Sequence, residues 1–324
     1  MYYRSVVSYS EKLLQADGPL GIIRRLRRFV GRILRWSVGP KMFIYEQYPP
    51  RPLRLPSVNQ LPKDGYQWPS FAIVTPSLGQ GRFVASTINS ILDQDYPRVS
   101  YTVQDGGSTD ETLRILESYG AKLSWRSAPD RGQAHAINLG FERVSGDIMG
   151  WLNSDDMLTP GTLSYVAAAF AKHPEIDFFY GNRIYIDGID REIGRCILPQ
   201  HHDETLRWMD FVPQETMFWR RRAWDKIGPL NESFLFALDW DFLLRARANG
   251  LRMHRLPRFL GCFRVHDDQK NYRLRETGNA EMTQLRTREF GAPPSLNEIR
   301  KGVLGYTLRH GCLDRAYRAG LYRI

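Results

Sequence analysis

Short apolar segments alternate with stretches of helical periodicity between residues 70 and 152. The apolar segments predict β-strands, and apolar residues that recur at helical spacing predict α-helices. We therefore expect strands over 71–74, 99–103, 123–125 and 147–152, and helices over 83–92, 111–119 and 133–143. Strands that alternate with helices in this way form right-handed βαβ units. The pattern predicts an α/β fold with a mostly parallel central sheet flanked by helices.

A second helical pattern lies near the N-terminus. Between Ile22 and Trp36, apolar residues recur at helical spacing and six arginines occupy the remaining positions. This pattern predicts a basic amphipathic helix within residues 1–40. Such a helix either lies on an anionic membrane surface or packs on the domain with its basic face in solvent, and the sequence leaves both interpretations open.

Composition suggests the remaining boundaries. Prolines are frequent over 41–69, which predicts an extended linker. The α/β pattern lies within residues 70–271, which we expect to divide into halves at 70–158 and 159–271. Residues 272–324 are basic and predict a helical C-terminal tail.

Length and cysteine content exclude several classes of protein. The chain has 324 residues, of which 42% are hydrophobic, enough for a buried core in one large or two small domains. Its three cysteines lie far apart, which argues against a structural zinc site and a disulfide framework. The sequence contains no run of about 18 apolar residues that would predict a transmembrane helix. The N-terminus also lacks a signal-peptide pattern. We expect a cytoplasmic protein, peripheral on the inner face of the cytoplasmic membrane if its N-terminal segment binds lipid.

Charge is concentrated at the two ends of the chain. The formal net charge is +10, but residues 1–40 and 272–324 hold the excess of basic residues and the segment between them is close to neutral. A pI near 9.6 is, by itself, typical of nucleic-acid-binding proteins. Because the polar loops of the middle segment are acidic, we expect no nucleic-acid partner.

Polar residues follow the predicted strands at their carboxyl ends, where ligands bind in parallel α/β sheets. Asp155 and Asp156 come directly after a strand, and this pair either binds Mg²⁺ or Mn²⁺ or forms a solvated turn. Asp105 precedes two glycines, which let a ligand approach the backbone, whereas Asp110 is placed to cap the next helix. Asp130 opens a loop-to-helix junction suited to a ribose or phosphate. We expect these clusters to converge on one crevice.

Several short motifs follow one another along the chain. They are T-P-S at 75–77, S-I-L-D-Q-D-Y-P at 90–97, D-G-G-S-T-D at 105–110, D-R-G-Q at 130–133, A-I-N-L-G at 136–140 and G-W-L-N-S-D-D at 150–156. Each motif is common, but the ordered set is specific. In this order they resemble the family 2 glycosyltransferases of the GT-A fold, and the resemblance covers about residues 70–268.

The resemblance implies a donor site built from these motifs. The residues implied to bind the nucleotide sugar are Thr75, Pro76, Ser77, Asp105, Gly106, Asp130, Gly132, Gln133, Asn138 and Asp155. It also implies that Asp156 and His266 bind Mn²⁺ or Mg²⁺. A cation there would stabilise the negative charge that develops on a diphosphate leaving group. Residues 70–158 would then bind the nucleotide, and residues 159–271 the acceptor.

The segment Leu238-Asp239-Trp240-Asp241 resembles the E-D-x-D segment of the family and implies that Asp239 is the general base. Spacing alone favours two carboxylates that complement a helix N-terminus, which is the role we expect for Asp241. Leu238 stands where relatives have Glu, so one carboxylate is missing from the expected acceptor site. His135 stands where relatives often have Asp, which bears on recognition of the donor sugar.

The resemblance implies an inverting, metal-dependent enzyme that moves one sugar from a nucleotide-diphosphate sugar to a hydroxyl of a glycan or lipid-linked acceptor. A UDP-sugar is the expected donor, and synthesis of surface polysaccharide or glycoconjugate the expected setting. Two other functions stay open. A non-catalytic nucleotide-sugar-binding relative fits the loss of an acid at Leu238, and a sugar-phosphate nucleotidyltransferase shares the parallel sheet but needs a more basic, glycine-rich loop than residues 75–82 offer.

Overall fold

The computed structural model describes residues 42–55, 67–267, 269, 274–322 and 324. The amphipathic helix predicted within residues 1–40, and residues 56–66 of the predicted linker, lie outside the described residues. From residue 71 onward, strands and helices alternate along the chain.

Nine strands form one sheet in the described part of the chain. The strands are β1 (Phe71–Ser77), β2 (Val99–Asp105), β3 (Ser124–Ser127), β4 (Ile148–Trp151), β5 (Met157–Leu158), β6 (Phe178–Ile186), β7 (Glu192–Cys196), β8 (Phe218–Arg220) and β9 (Met253–Arg264). The helices are α1 (Val84–Leu92), α2 (Thr112–Ser118), α3 (Gln133–Phe141), α4 (Thr162–Lys172), α5 (Asp203–Trp208), α6 (Arg221–Ile227), α7 (Leu238–Ala248), α8 (Arg275–Phe290) and α9 (Leu296–Arg318). Short 3₁₀ helices lie at Gly120–Lys122 and Gln214–Thr216.

The N-terminal half of the sheet is parallel. Strands β3, β2, β1 and β4 lie side by side in that order, and each pairing is parallel. The register places Ser77 opposite Asp105, and Asp105 opposite Ser127, at the carboxyl ends of β1, β2 and β3. The prediction of an α/β fold with a mostly parallel sheet is confirmed, and the predicted elements agree with the observed ones to within a few residues.

The second half of the sheet mixes strand directions. β4 pairs antiparallel with β8, and β8 with β6, whereas β6 runs parallel to β9. β7 pairs antiparallel with β6, and β5 with β9. Because Met157 of β5 lies opposite Cys262 of β9, the end of β9 lies beside the loop that carries Asp155 and Asp156.

Both faces of β1 are buried, as is typical of a strand covered by helices on both sides. Phe71 and Ile73 belong to the hydrophobic cluster that contains α1, and Ala72 and Val74 to the cluster that contains α3. Gly140 lets α3 approach β1 closely, because a Cβ atom there would lie 2.4 Å from a methyl carbon of Val74.

The described part of the predicted linker, residues 42–55, packs on the domain. The backbone of Gln47 and Arg51 hydrogen-bonds to β7, and the hydroxyl of Tyr185 donates to the carbonyl of Met42 at 2.8 Å. This finding corrects the linker prediction for residues 42–55, because their backbone groups find partners along the edge of β7.

Two helices form the C-terminal part of the chain, as the sequence predicts. α9 begins with a capping box in which Ser295 and Glu298 bond each other's backbone N–H groups. Its inner face buries Tyr306 and His310, and His310 Nδ1 lies 2.8 Å from the carbonyl oxygen of Ile197. Across the ranges that the structure describes, none of the helices has the length and apolar character that a membrane crossing requires.

Candidate active site

A cavity of about 550 Å³ opens beyond the carboxyl ends of β1 and β4. Its wall draws on both halves of the domain. The predicted site residues in this wall are Pro76, Ser77, Asp130, Gly132, Gln133, Asp155, Asp156, Asp239 and His266. The remaining predicted residues, Thr75, Asp105, Gly106 and Asn138, are not part of this wall. The structure therefore brings most of the predicted donor, metal and base residues to one place.

Asp105 is buried at the end of β2 and is surrounded by hydrogen-bond donors. Its carboxylate accepts the backbone N–H groups of Gly107 and Ser108 at 3.0 and 2.8 Å and the hydroxyl of Ser127 at 2.6 Å. Thr75 is also buried, and its hydroxyl oxygen accepts the hydroxyl of Tyr101 at 3.1 Å. Both residues thus fix the strand ends, and their contact with a donor nucleoside stays a prediction.

Asp130 lies against the loop that follows β2. A Cβ atom on Gly106 would lie 2.6 Å from Asp130 Oδ2, so a larger residue here would have to displace the Asp130 carboxylate. The other oxygen of Asp130 accepts the N–H of Gly132 at 2.8 Å, at the start of α3. Within α3, Asn138 exchanges two hydrogen bonds with the backbone of Leu230, which ties this helix to the second half of the domain.

Asp155 and Asp156 carry the acidic charge at the end of β4. Asp156 is only 1% exposed, and its Oδ1 accepts the backbone N–H of Arg264 at 3.0 Å. Burial, with the nearby charges of Asp155 and Glu215, holds the pKa of Asp156 well above its usual range. Asp155 Oδ2 lies 3.0 Å from His266 Nε2, so three of the residues predicted to contact the donor diphosphate or metal are neighbours.

The side chains around Asp155 and Asp156 can be compared with the ligands that bind divalent cations in proteins. No group of three or more His, Cys, Asp or Glu side chains in the described residues is arranged to hold a metal ion alone. Burial and the neighbouring charge of Asp155 both disfavour the ionised form of Asp156. A cation beside the two carboxylates would offset this electrostatic cost. Mg²⁺ and Mn²⁺ are often held by one or two carboxylates while substrate phosphates and water complete the shell. The residues fit a cation shared with a phosphate-bearing ligand.

Asp239 lies at the second position of α7 and faces the same cavity. Its Oδ1 accepts the N–H of Trp240 at 2.9 Å. Asp241, two residues later, is buried and ion-paired with Arg245 at 2.8 Å and Arg288 at 2.5 Å. Asp241 therefore stabilises the helix, and Asp239 is the carboxylate of this segment that lines the cavity.

A second carboxylate, Asp210, lines the cavity on the same side as Asp239 and was missed in the sequence. Burial and the charge of Asp239 hold the pKa of Asp210 well above its usual range, while the N–H of Val212 and the charge of Arg183 oppose this shift. Trp240 Nε1 donates to the carbonyl of Leu206 at 2.7 Å, which joins α7 to α5 just before Asp210. Asp210 thus adds a second acidic side chain beside Asp239 in the cavity wall.

Sequence motifs give no signal for Asp210, since it lies in a loop after a short helix and is 29 residues from Asp239 in the chain. Leu238 carries no carboxyl group, as noted in the sequence, and Asp210 is a further carboxyl group in the same cavity wall.

One cationic side chain lies between the two acidic groups. Arg183 of β6 forms a bidentate pair with Glu215, at 2.8 and 2.6 Å, and its guanidinium lies 4.7 Å from the ring centre of Phe263. Its positive charge lowers the pKa of both Asp156 and Asp210. Arg183 therefore links the electrostatics of the two ends of the cavity.

The fold has close counterparts among solved structures. S. aureus TarS 1–349 in complex with UDP-GlcNAc matches with a TM-score of 0.56 at 19% identity, over 74% of this chain and 72% of that one. The mannosyltransferase PcManGT from Pyrobaculum calidifontis, in complex with GDP-Man and Mn²⁺, matches with a TM-score of 0.56 at 17% identity, over 94% and 87% of the two chains. At these identities the likeness is one of fold, and that fold is of the GT-A type.

The sequence matches the family model described as Glycosyl transferase family 2 over residues 72–230. It is also 31% identical over 186 residues to a PGL/p-HBAD biosynthesis glycosyltransferase of Mycobacterium tuberculosis, which is 56% of this chain and 71% of the relative. The chain belongs to glycosyltransferase family 2. It is therefore an enzyme of the transferase class, and the predicted family is confirmed.

Proposed function

We propose that this enzyme is an inverting, metal-dependent transferase that moves one sugar from a nucleotide-diphosphate sugar to a hydroxyl group of a glycan or lipid-linked acceptor. One observation carries the proposal. The acidic pair Asp155–Asp156 and the carboxylate of Asp239 line a single cavity although they come from opposite halves of the domain. This separation of charge is what an in-line displacement at a sugar carbon requires, with a leaving group on one side and a base on the other.

On the donor side, Pro76, Ser77, Asp130 and Gln133 form the wall against which a nucleotide would lie. The solved relatives support a nucleotide-sugar donor, because their structures contain UDP-GlcNAc and GDP-Man. A UDP-sugar is our proposed donor. Asp105 holds the loop after β2 in place through the N–H groups of Gly107 and Ser108, and Gly106 leaves room for Asp130.

Asp156 and His266 would hold Mn²⁺ or Mg²⁺ together with the donor diphosphate, and Asp155, 3.0 Å from His266 Nε2, would lie near the donor ribose or sugar. A bound cation supplies stabilisation of the negative charge on the departing diphosphate. The relative PcManGT contains Mn²⁺ together with GDP-Man, which supports this assignment.

On the acceptor side, Asp239 takes the proton of the attacking hydroxyl. The acceptor oxygen forms the new bond to the anomeric carbon, and the bond from that carbon to the diphosphate oxygen breaks with its electron pair. Because attack and departure lie on opposite faces, the anomeric configuration inverts. Burial and the charge of Asp239 raise the pKa of Asp210, which favours a neutral, protonated Asp210 beside the ionised base.

The acceptor side of the cavity is rich in apolar side chains. Phe43, Tyr45, Phe236, Trp240 and Met282 all contribute to its wall. Aromatic and thioether groups bury the apolar faces of sugars and lipid chains alike. This lining supports a glycan or lipid-linked acceptor in the synthesis of a surface polysaccharide or glycoconjugate.

The proposal is tested by nucleotide-diphosphate release from a panel of UDP-, GDP- and dTDP-sugars with Mn²⁺, first without acceptor. Donor binding is measured separately by calorimetry. The chain is compared with Asp156→Asn, Asp239→Asn and the control Asp225→Asn, which makes the same chemical change at an exposed position of α6.

We expect slow hydrolysis of one donor that Asp156→Asn abolishes together with metal-dependent binding. Asp239→Asn should retain donor binding and lose turnover, and Asp225→Asn should behave as the unaltered chain. If the chain binds a donor but shows no turnover with any acceptor tested, it is a non-catalytic relative. Failure to bind any nucleotide sugar would overturn the proposal.

A further inference from the structure

Helix α9 presents two contrasting faces. Its inner face packs on the domain, where the buried Tyr306 ring lies 4.4 Å from the ring of Phe211. Its outer face exposes Leu304 and Leu308, which are one helical turn apart and 54% and 61% exposed. Two large apolar side chains exposed on one helix face indicate an interaction surface when other side chains on that face fit the same kind of partner.

Basic side chains flank the two leucines. At 100° per residue, Arg300, Lys301 and Arg315 fall on the same side of α9 as Leu304 and Leu308, and all three are exposed. We call this set of five residues the basic leucine face. Both carboxylates of α9 have partners: that of Glu298 accepts the N–H and hydroxyl of Ser295, and that of Asp314 pairs with Arg318 at 2.7 Å.

Apolar exposure continues at both ends of the helix. Leu296 at its start is 72% exposed and Leu321, just beyond its end, is 83% exposed. α9 has 23 residues, which corresponds to a length of about 35 Å. Exposed apolar side chains therefore occur at both ends of a helix that is anchored to the domain.

We propose that the basic leucine face binds the surface of an anionic lipid membrane. Lysine and arginine side chains are attracted to acidic headgroups, and leucines between them enter the boundary between headgroups and acyl chains. The charge argues against a second copy of this face as the occupant, because like charges would meet. The leucines argue against nucleic acid, whose phosphate backbone offers no apolar interior. The inference does not depend on the reaction proposed above.

The chain provides its own reporter for this contact. Cys196 and Cys262 are buried, whereas Cys312 is exposed on α9, one turn beyond Leu308. An environment-sensitive fluorophore on Cys312 of the full chain should shift to shorter wavelength with vesicles containing phosphatidylglycerol. It should change little with pure phosphatidylcholine vesicles of the same size. A shift of equal size with both vesicles would overturn the role given to charge.

Variants then locate the contact in vesicle sedimentation. We expect Leu304→Ser with Leu308→Ser, and separately Arg300→Glu with Lys301→Glu, to lower the partition coefficient at least tenfold. The matched control is Lys122→Glu with Lys172→Glu, which changes net charge by the same amount at exposed positions outside α9. Any other part of the chain that binds lipid contributes the same factor to the partition coefficient of every variant. The ratio of a variant's partition coefficient to that of the unaltered chain therefore reports on the altered residues.

The control variant should lose less than threefold. Equal losses in the control and the α9 charge variant would show that net charge alone acts and would overturn the proposal. Unchanged binding in both α9 variants would also overturn it, as would tighter binding of the basic leucine face to duplex RNA than to anionic vesicles at physiological salt. Circular dichroism of each variant verifies that α9 remains folded.

Discussion

The carboxylate of Glu281 accepts the backbone N–H of Ala237 at 2.8 Å, two residues before Asp239. The same carboxylate accepts the N–H groups of Leu235 and Phe236 at 2.8 and 2.9 Å. A side chain from α8 thus satisfies the backbone that leads into α7, at the end of the helix that favours negative charge. The position of the proposed base depends on a residue 42 positions further along the chain.

Replacing Glu281 by Ala should therefore disturb the acceptor side selectively. We expect a loss of about 2 kcal/mol of unfolding free energy, because backbone donors lose a charged acceptor, and a fall in kcat of at least tenfold. Donor binding should persist, since the donor wall lies in the other half of the domain. Thermal unfolding, kcat and donor calorimetry check these outcomes against Glu276→Ala, an exposed acid in the first turn of the same helix. Unchanged kcat in Glu281→Ala would contradict the positioning role.

Asp210 should make stability depend on pH. Its pKa is raised in the folded state, so the folded protein binds a proton that the unfolded chain releases earlier. The stabilisation is present below the usual Asp pKa of about 3.9 and is lost as pH rises toward the raised value. Asp210→Asn cannot ionise, so its melting temperature should exceed that of the unaltered chain by an amount that grows from about pH 4 to pH 8. An offset that stays constant over this range would rule out the raised pKa.

Gly106 should be indispensable for the position of Asp130. Because a Cβ atom would lie 2.6 Å from Asp130 Oδ2, Gly106→Ala has to displace that carboxylate or the loop. If Asp130 contacts the donor, the donor Kd should rise by about tenfold, equivalent to about 1.4 kcal/mol. Gly305→Ala is the control, because nothing lies within 4 Å of its Cβ position in α9. It should leave donor binding unaltered and raise stability by up to about 1 kcal/mol.

The pair of Arg183 and Glu215 should show strong coupling in a double-mutant cycle. Glu215 is buried, so Glu215→Leu leaves a partly buried guanidinium without its bidentate partner and should cost about 3 kcal/mol of unfolding free energy. Arg183→Met combined with Glu215→Leu should cost less than the sum of the single changes. Urea unfolding of all four proteins measures the coupling. Additive effects would mean that the pair contributes no interaction to the folded state.

The parallel half of the fold was predictable because its signals are local. Each strand, turn and helix between Phe71 and Trp151 is encoded by consecutive residues, and the motifs lie where neighbouring strands end. Because these signals are local, the sequence also predicted that Asp130, Asp155 and Asp156 would line one cavity, as they do. Alternation of strands and helices leaves few ways to arrange such a sheet.

The rest depends on contacts between distant segments. β6 runs parallel to β9, although Phe178 and its partner Met253 are 75 residues apart. Glu281 and Asp210 reach the acceptor side through packing of helices, and neither is part of a recognisable motif. Residues 42–55 read as a proline-rich linker because composition does not reveal the edge of β7 on which they lie. Spacing along the chain carries no information about such partners.

Helices α8 and α9 complete the wall of the cavity, through Met282 directly and through the contact of Tyr306 with Phe211. Both helices lie outside residues 72–230, the region by which the family is recognised. Mutations there can reshape what the cavity accepts while every family motif stays intact. Acceptor preference in this architecture can therefore diverge between relatives that share the same donor motifs, and a library directed at α8 and α9 is the direct route to altered acceptors.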